Sequence, residues 1–475
     1  MKQSKKTAAL LLALVLLLGL AACGEGTKPS ETPNPAHSPA PTDGLYVTVT
    51  GASAGSARPA DADGAAEYGM YAAASMPAGA AKDAPEAVLS EAEAPAPMPK
   101  PGEAALLPEP TSAPESGLLP DPDLPPATPD PGEAFVLTAA EWNDNANWPF
   151  FTNLVNAGKL AFPSFGLDPR QRVKVTLRDA AGQPLPGERV ELLDASGETL
   201  WTAQTDRDGA AYLFCRSGET PAAVSVQGRV TPLSRETPPE DQQGDRLVTV
   251  LDELELTAAP VSAPKTALQV MFLVDATGSM SDELSYLQKD FSAIAGEIGD
   301  AAAWSVCFYR DEGDDYVTKL SEFSRDTAAI QDLIAGEYAA GGGDTPEAVA
   351  EILDQTLDMG FLQEAGRSGW REDCEKLAFL IFDAPPHAGR DETLQNAVRR
   401  AAEAGIRLVP VVASNAERDT ELFARALAIC TGGTYVFLTD DSGVGESHLE
   451  PIVGPYTVEK LHDILVRIIR DSLPA

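Results

Sequence analysis

The chain has 475 residues, with 72 acidic against 35 basic ones for a formal net charge of −37. The length allows about two to four domains with sizeable cores. The charge excludes nucleic acid as a partner, because phosphates need Lys and Arg to displace their counterions. It also excludes docking on an anionic bilayer by charge alone, and leaves the solubility of an exported protein as its simplest role.

Residues 1–22 read as an export signal. Lys2, Lys5 and Lys6 form a positive start, and Ala8 to Leu20 is almost wholly apolar. That run is too short to span a bilayer and has the length of a signal core. Leu20-Ala21-Ala22-Cys23 follows. It resembles the bacterial lipobox, which implies lipidation of Cys23 and cleavage before it. No later run reaches the roughly 18 apolar residues of a spanning helix. The expected membrane contact is therefore through the N-terminal lipid only, at the extracytoplasmic face of the cell membrane. Cys215, Cys307, Cys374 and Cys430 remain, with no CxxC spacing. Export permits disulfides among them, and four cysteines leave three pairings open.

Residues 23–133 read as a disordered spacer. The stretch 24–130 holds 20 of the chain's 39 prolines, which remove amide donors and stop helix and sheet from propagating. Leu45 to Thr50 is strand-like but stands alone. Residues 134–260 are expected to hold an aromatic cap and a small β-sandwich. Trp142, Trp148, Phe150 and Phe151 are too aromatic for disorder, and the polar Glu141–Asn147 around Trp142 reads as part of a cap on the β-domain, with a ligand loop as the alternative. Val173, Val175 and Leu177 alternate with polar residues as in a half-buried strand. Strands at Val190–Leu193, Trp201–Thr205 and Ala211–Phe214 alternate with turn signals at Asp179–Gly187, Asp194–Glu198 and Asp206–Gly209. This order resembles the bacterial Ig-like and transthyretin-like spacer domains of surface proteins. Asp206 and Asp208 are read as an Asp-Gly turn before a Ca²⁺ site.

Residues 266–475 alternate strand and helix. Continuous apolar runs at Val270–Val274, Trp304–Tyr309, Leu377–Phe382, Leu408–Val412 and Thr434–Leu438 predict strands covered on both faces. Helical stretches fall at Ser281–Ile298, Glu347–Met359, Asn396–Ala404, Asp419–Ile429 and Val458–Ile469. The expected class is α/β, with a doubly wound, mostly parallel sheet, whose ligands bind at the carboxyl ends of the strands. Three loops at those ends carry hard oxygen donors. D-A-T-G-S after the first strand offers Asp275, Thr277 and Ser279. G-G-G-D-T-P-E offers Asp344 and Thr345, and D-A-P-P-H begins with Asp383.

D-x-T-x-S, a Gly-rich loop with Asp and Thr, and a strand-ending Asp resemble, in this order, the metal-ion-dependent adhesion site of von Willebrand factor type A (VWA) domains. The resemblance covers roughly residues 266–472. It implies Mg²⁺, with Mn²⁺ as a substitute, held by Asp275, Thr277, Ser279, Asp383 and one of Asp344 and Thr345. It further implies a protein partner that offers an acidic side chain. Thr277 stands where Ser is commoner, which keeps the hydroxyl. Asp344 precedes Thr345 where Thr usually comes first, so the ligating member of that pair stays open. An enzyme is not expected, because the phosphate-loop and H-E-x-x-H motifs are absent. Of the four histidines His387 lies near Asp383 and reads as a turn residue. Arg310, Asp311, Asp314 and Asp315 read as a solvated loop before a binding surface. The polar Leu438–His448 stretch follows the last strand with no assigned chemistry. The expected role is adhesion or assembly at the cell surface. The alternatives are an envelope subunit that recruits or regulates an enzyme, and a structural VWA domain with an empty site.

Overall fold

The computed structural model describes residues 46–49, 136–233, 253–343, 345–363, 366–440 and 448–474. The signal segment, Cys23, most of the spacer and Asp344 lie outside them. The described residues belong to one compact unit, Leu45–Ala475. In chain order the elements are β1 (Tyr46–Val49), β2 (Thr138–Trp142), α1 (Trp148–Asn156) and seven strands of a β-domain. These are β3 (Val173–Arg178), β4 (Arg189–Asp194), β5 (Thr199–Gln204), β6 (Ala210–Leu213), β7 (Pro221–Val226), β8 (Arg229–Pro232) and β9 (Glu253–Thr257). Then come β10 (Ala267–Asp275), α2 (Ser281–Ile298), β11 (Ala302–Tyr309), β12 (Thr318–Ser321), α3 (Thr327–Ala335) and α4 (Val349–Thr356). The chain ends with β13 (Cys374–Phe382), α5 (Asp391–Ala404), β14 (Ile406–Val412), α6 (Arg418–Thr431), β15 (Tyr435–Thr439), β16 (Glu459–Lys460) and α7 (Leu461–Asp471).

The largest sheet has nine strands in the order β1-β12-β11-β10-β13-β14-β15-β2-β16. Its centre, β11-β10-β13-β14-β15, is parallel. Successive side chains of a strand face opposite sides, so a wholly apolar strand needs cover on both. Val270, Phe272 and Val274 face one core with α2, α3 and α7, while Met271 and Leu273 face the other with α4, α5 and α6. From β10 the chain crosses to β11 on one side and returns to β13 on the other. The strand order therefore reverses at β10, which opens a crevice at its carboxyl end. No sheet closes into a barrel among the described residues, and no described helix is long and apolar enough to cross a membrane.

The β-domain consists of a three-stranded sheet, β6-β3-β9, and a four-stranded sheet, β5-β4-β7-β8. Three of its turns repeat one D-x-x-G-x device. Oδ1 of Asp179 accepts from the amides of Ala181 and Gln183, that of Asp194 from Ser196 and Glu198, and that of Asp206 from Asp208 and Ala210. The fourth residue has positive φ, +77° at Gly209, where a Cβ would also lie 2.3 Å from the Leu177 carbonyl. The Asp206 loop is thus a turn. Cys215, Cys307, Cys374 and Cys430 are all buried, and none of the three disulfide pairings forms among them.

Three expectations need correction. The aromatic segment is more than a cap on the β-domain: β2 pairs antiparallel with β15, from Trp142 opposite Tyr435 to Thr138 opposite Thr439. Its small Ala139 and Ala140 are fully buried there. The polar Glu141–Asn147 stretch is a lock, with Asp144 and Arg425 paired at 2.8 Å and both buried, and the Trp142 indole donating to Asp144. The β-domain is therefore inserted between two strands of one sheet. Second, Glu459 and Lys460 were expected in a helix but pair with β2 as β16. Third, Tyr46–Val49 does not stand alone, since it pairs antiparallel with β12.

Candidate metal centre

Asp275 ends β10 and is fully buried. The chain turns back at once, so its Oδ1 accepts from the Thr277 amide at 2.9 Å and the Thr277 hydroxyl at 2.6 Å. The Thr277 hydroxyl is 3.4 Å from that of Ser279. The i, i+2, i+4 spacing thus gathers three side chains on one tight loop. Asp383 follows β13, the neighbour of β10, and is 8% exposed.

The Gly-rich loop is laid against this pair by backbone bonds. The Ala340 amide donates to the Ala276 carbonyl at 3.0 Å, and that of Gly278 to Gly341 at 3.3 Å. Asp314 Oδ2 accepts from the Gly342 amide at 2.9 Å. Gly341 has φ +81°, and a Cβ there would lie 2.1 Å from that same Asp314 oxygen, so only glycine fits. At the loop's end the Glu347 amide donates to the Pro385 carbonyl at 3.0 Å, which joins the second and third loops.

These contacts leave a cleft of about 270 Å³ lined in part by Thr277, Ser279, Thr345, Glu347 and Asp383. Asp275 is buried and meets the cleft wall through Thr277. The structure therefore brings together every candidate ligand it describes. It adds Glu347, 4% exposed, which the sequence reading placed only at a helix start. An acid there ordinarily complements the helix dipole. Its role depends on the bridge to Pro385, which leaves no local signal.

The electrostatics of the cleft are unbalanced. Asp275 Oδ2, Asp383 Oδ1, Glu347 Oε2 and Glu283 Oε2 are all buried without a hydrogen-bond partner. Burial, and then the charge of Asp383, pushes the Asp275 carboxyl up to about 7. Burial and the charges of Asp275, Asp311, Asp383 and Asp314 push Glu347 to about 9. Asp383 is also raised, by burial against the opposing pull of the Ser279 hydroxyl, with Glu283 adding repulsion. The Tyr309 hydroxyl adjoins Asp275 but lies outside good hydrogen-bond geometry.

The surroundings are structural. Arg310 is 1% exposed and pairs with Glu337 at 3.0 Å, and Asp311 and Asp314 are tied into a turn, while Glu312, Gly313 and Asp315 are exposed, so the loop is solvated at its tip and fixed at its base. His387 Nε2 lies 2.5 Å from Asp311 Oδ1 and braces that turn. Glu283 Oε1 accepts from the Ser414 hydroxyl at 2.7 Å, which lies 3.2 Å from His448 Nε2. The rest of the Leu438–His448 stretch beyond Asp440 falls outside the described residues.

Hard carboxylate and hydroxyl oxygens suit Mg²⁺ or Mn²⁺. Among the described residues no group of three or more His, Cys, Asp or Glu side chains is arranged to hold a metal ion. Hydroxyls would have to complete any shell. The orphaned buried oxygens fit a cation, since each lacks the positive partner that burial of a carboxylate requires.

No protein-family model matches the chain. An ariadne-like RING finger protein of Acanthamoeba polyphaga mimivirus is similar to it, at 25% identity over 223 residues. The match covers 42% of this chain and 20% of that protein, so the chain spans about one fifth of that relative's length.

Proposed function

We propose that the α/β sheet is a VWA domain that binds Mg²⁺ in this cleft and, through it, an acidic side chain of a protein partner. The supporting observation is the set of buried carboxylate oxygens without partners at the strand-order reversal, beside the Thr277 and Ser279 hydroxyls. Asp275 and Asp383 supply charge, Thr277, Ser279 and Thr345 supply hydroxyls, and Glu347 adds a further carboxylate. Bound Mg²⁺ offers a position where a partner's carboxylate replaces a water. The protein orients the donors through the Thr277 turn and the Gly341–Gly342 loop. The reading is of a non-enzymatic adhesion or assembly module, lipid-anchored through Cys23 and spaced from the membrane by the segment between Cys23 and β1. Calorimetry of the full chain tests it: Mg²⁺ should raise the melting temperature over chelator, and Asp275→Ala should remove the rise while keeping the fold. A wild-type chain that melts identically in Mg²⁺ and in chelator would overturn the reading.

A further inference from the structure

A second cavity, of about 270 Å³, lies where the β-domain meets α5. Its walls include Pro163, Leu167, Trp201 and Phe214, the last two edge to face with ring centres 5.5 Å apart. Arg216, from the loop after β6, and Arg399, from α5, also line it. In a chain of net charge −37 an arginine is expected to meet a carboxylate. Arg216 instead donates to the Asn396 side chain at 3.0 Å, and Arg399 to the Leu200 carbonyl at 2.5 Å, with its guanidinium 5.8 Å from the Trp201 ring. Among the described residues neither guanidinium is ion-paired with an Asp or Glu, although Glu219 Oε2 accepts from the Arg216 backbone amide at 2.7 Å. Arg216 Nε and the Trp201 indole nitrogen are buried with no partner, and Trp201 is 7% exposed. Burial, and then the charge of Arg216, lowers the pKa of Arg399 against the opposing charges of Glu219 and Glu403. A third arginine, Arg170, is neutralised by two bonds of 2.7 Å to Asp168. Asp391, which is exposed, is the remaining acid of the lining.

We propose that this cavity binds a small organic carboxylate, its charged end received by Arg216 and Arg399 and its apolar body held against Trp201 and Phe214. Guanidinium forks match carboxylates, and with Glu219 engaged by the Arg216 backbone amide rather than by either fork, the two half-buried guanidinium groups still favour an anion between them. Apolar walls with a few converging polar groups, at a junction between domains, are the usual form of a small-molecule site. The volume is at the small end of such sites, and Asp391 disfavours a dianion, so the ligand is a compact monoacid. The carboxyl terminus of a peptide and a free acid share this chemistry.

Isothermal titration of the full chain in chelator, which keeps the metal cleft out of the measurement, tests the proposal. The probes are 3-phenylpropionate, its neutral counterpart 3-phenylpropanol, N-acetylphenylalanine and inorganic phosphate. Saturable binding of 3-phenylpropionate is expected, with neither the alcohol nor phosphate competing. Arg216→Gln and Arg399→Gln should each weaken it about tenfold or more, as loss of a charged hydrogen bond does. Asp391→Asn, at an exposed position, should tighten it two- to threefold, about the effect of one screened charge, and serves if an arginine variant fails to fold. N-acetylphenylalanine binding more tightly assigns a peptide terminus, and binding less tightly assigns a free acid. Equal binding of the alcohol, preference for phosphate, no effect of the substitutions, or no saturable heat to about 10 mM, where affinity is negligible, overturns it.

Discussion

Aspartate-led loops occur in both halves of the molecule, and they use the carboxylate in opposite ways. In the β-domain Asp179, Asp194 and Asp206 each commit Oδ1 to two backbone amides, and the loop is complete without a ligand. Those bonds, with the Ser196 hydroxyl foremost, hold the Asp194 carboxyl below its ordinary range, while at Asp206 burial outweighs them and raises it. At the carboxyl end of β10, Asp275 also turns the chain back through Oδ1, yet its Oδ2 is left buried and alone, and its carboxyl is raised to about 7. The sequence patterns differ little. What separates a turn from a binding site is whether the second oxygen is left buried without a partner and whether other acids face it.

Ways to break or sharpen this contrast run from large effects to small. Mg²⁺ at a hundredfold excess over its dissociation constant should stabilise the chain by about 2.7 kcal/mol, and Asp383→Asn should abolish that gain; denaturant titrations with and without chelator measure both. An Asp383→Asn chain that keeps the full gain would place the ion elsewhere. Next is pH. Asp275 near 7 and Glu347 near 9 lie above the ordinary carboxylate values of about 4. The folded state therefore holds more protons than the unfolded one, so metal-free stability is greatest at low pH and is lost as pH climbs through 7 and then 9. Melting curves in chelator from pH 5 to 9 should slope downward, less steeply in the Asp275→Asn, Glu347→Gln double variant; matching slopes in the two chains would refute the assignment.

The β-domain gives the smaller effects. Asp206→Ala removes two amide bonds of 2.8 and 2.9 Å from a partly exposed turn. It should cost about 1 to 2 kcal/mol, equally with and without divalent ions. Asp206→Asn keeps an accepting oxygen and should cost under about 0.5 kcal/mol, whereas Asp275→Asn should lose the ion response entirely. Paired thermal scans of the two asparagine variants would settle whether the same swap separates the two loop types.

Much of the sheet was legible because burial on both faces leaves a continuous apolar signature. Val270–Val274, Leu377–Phe382 and Leu408–Val412 all lie within observed strands, and Ser281–Ile298 has the bounds of α2. The candidate ligands were legible because Asp275, Thr277 and Ser279 are local. Less legible was whatever depends on distant partners. β2 becomes a strand by pairing with β15 nearly three hundred residues later, and Glu347 enters the cleft through Pro385. The short β12 and α3 were also passed over, although Asp326 caps α3 by accepting from the Ala329 amide at 3.1 Å, a signal visible in S-R-D-T-A-A.

The placement of β1 has a mechanical consequence. Tyr46 to Val49 pair antiparallel with Ser321 to Thr318 of β12, toward the opposite edge of the sheet from β2. The cleft opens where Asp275 ends β10 and Asp383 follows β13. A pull between an anchor upstream of β1 and a partner held at the cleft would enter the sheet through β1 and cross β12 and β11 to β10 from strand to strand. The inserted β-domain, and the ladder between β2 and β15 with its Asp144–Arg425 lock, would lie off this path. Resistance to tension would then rest on the short ladder between β1 and β12.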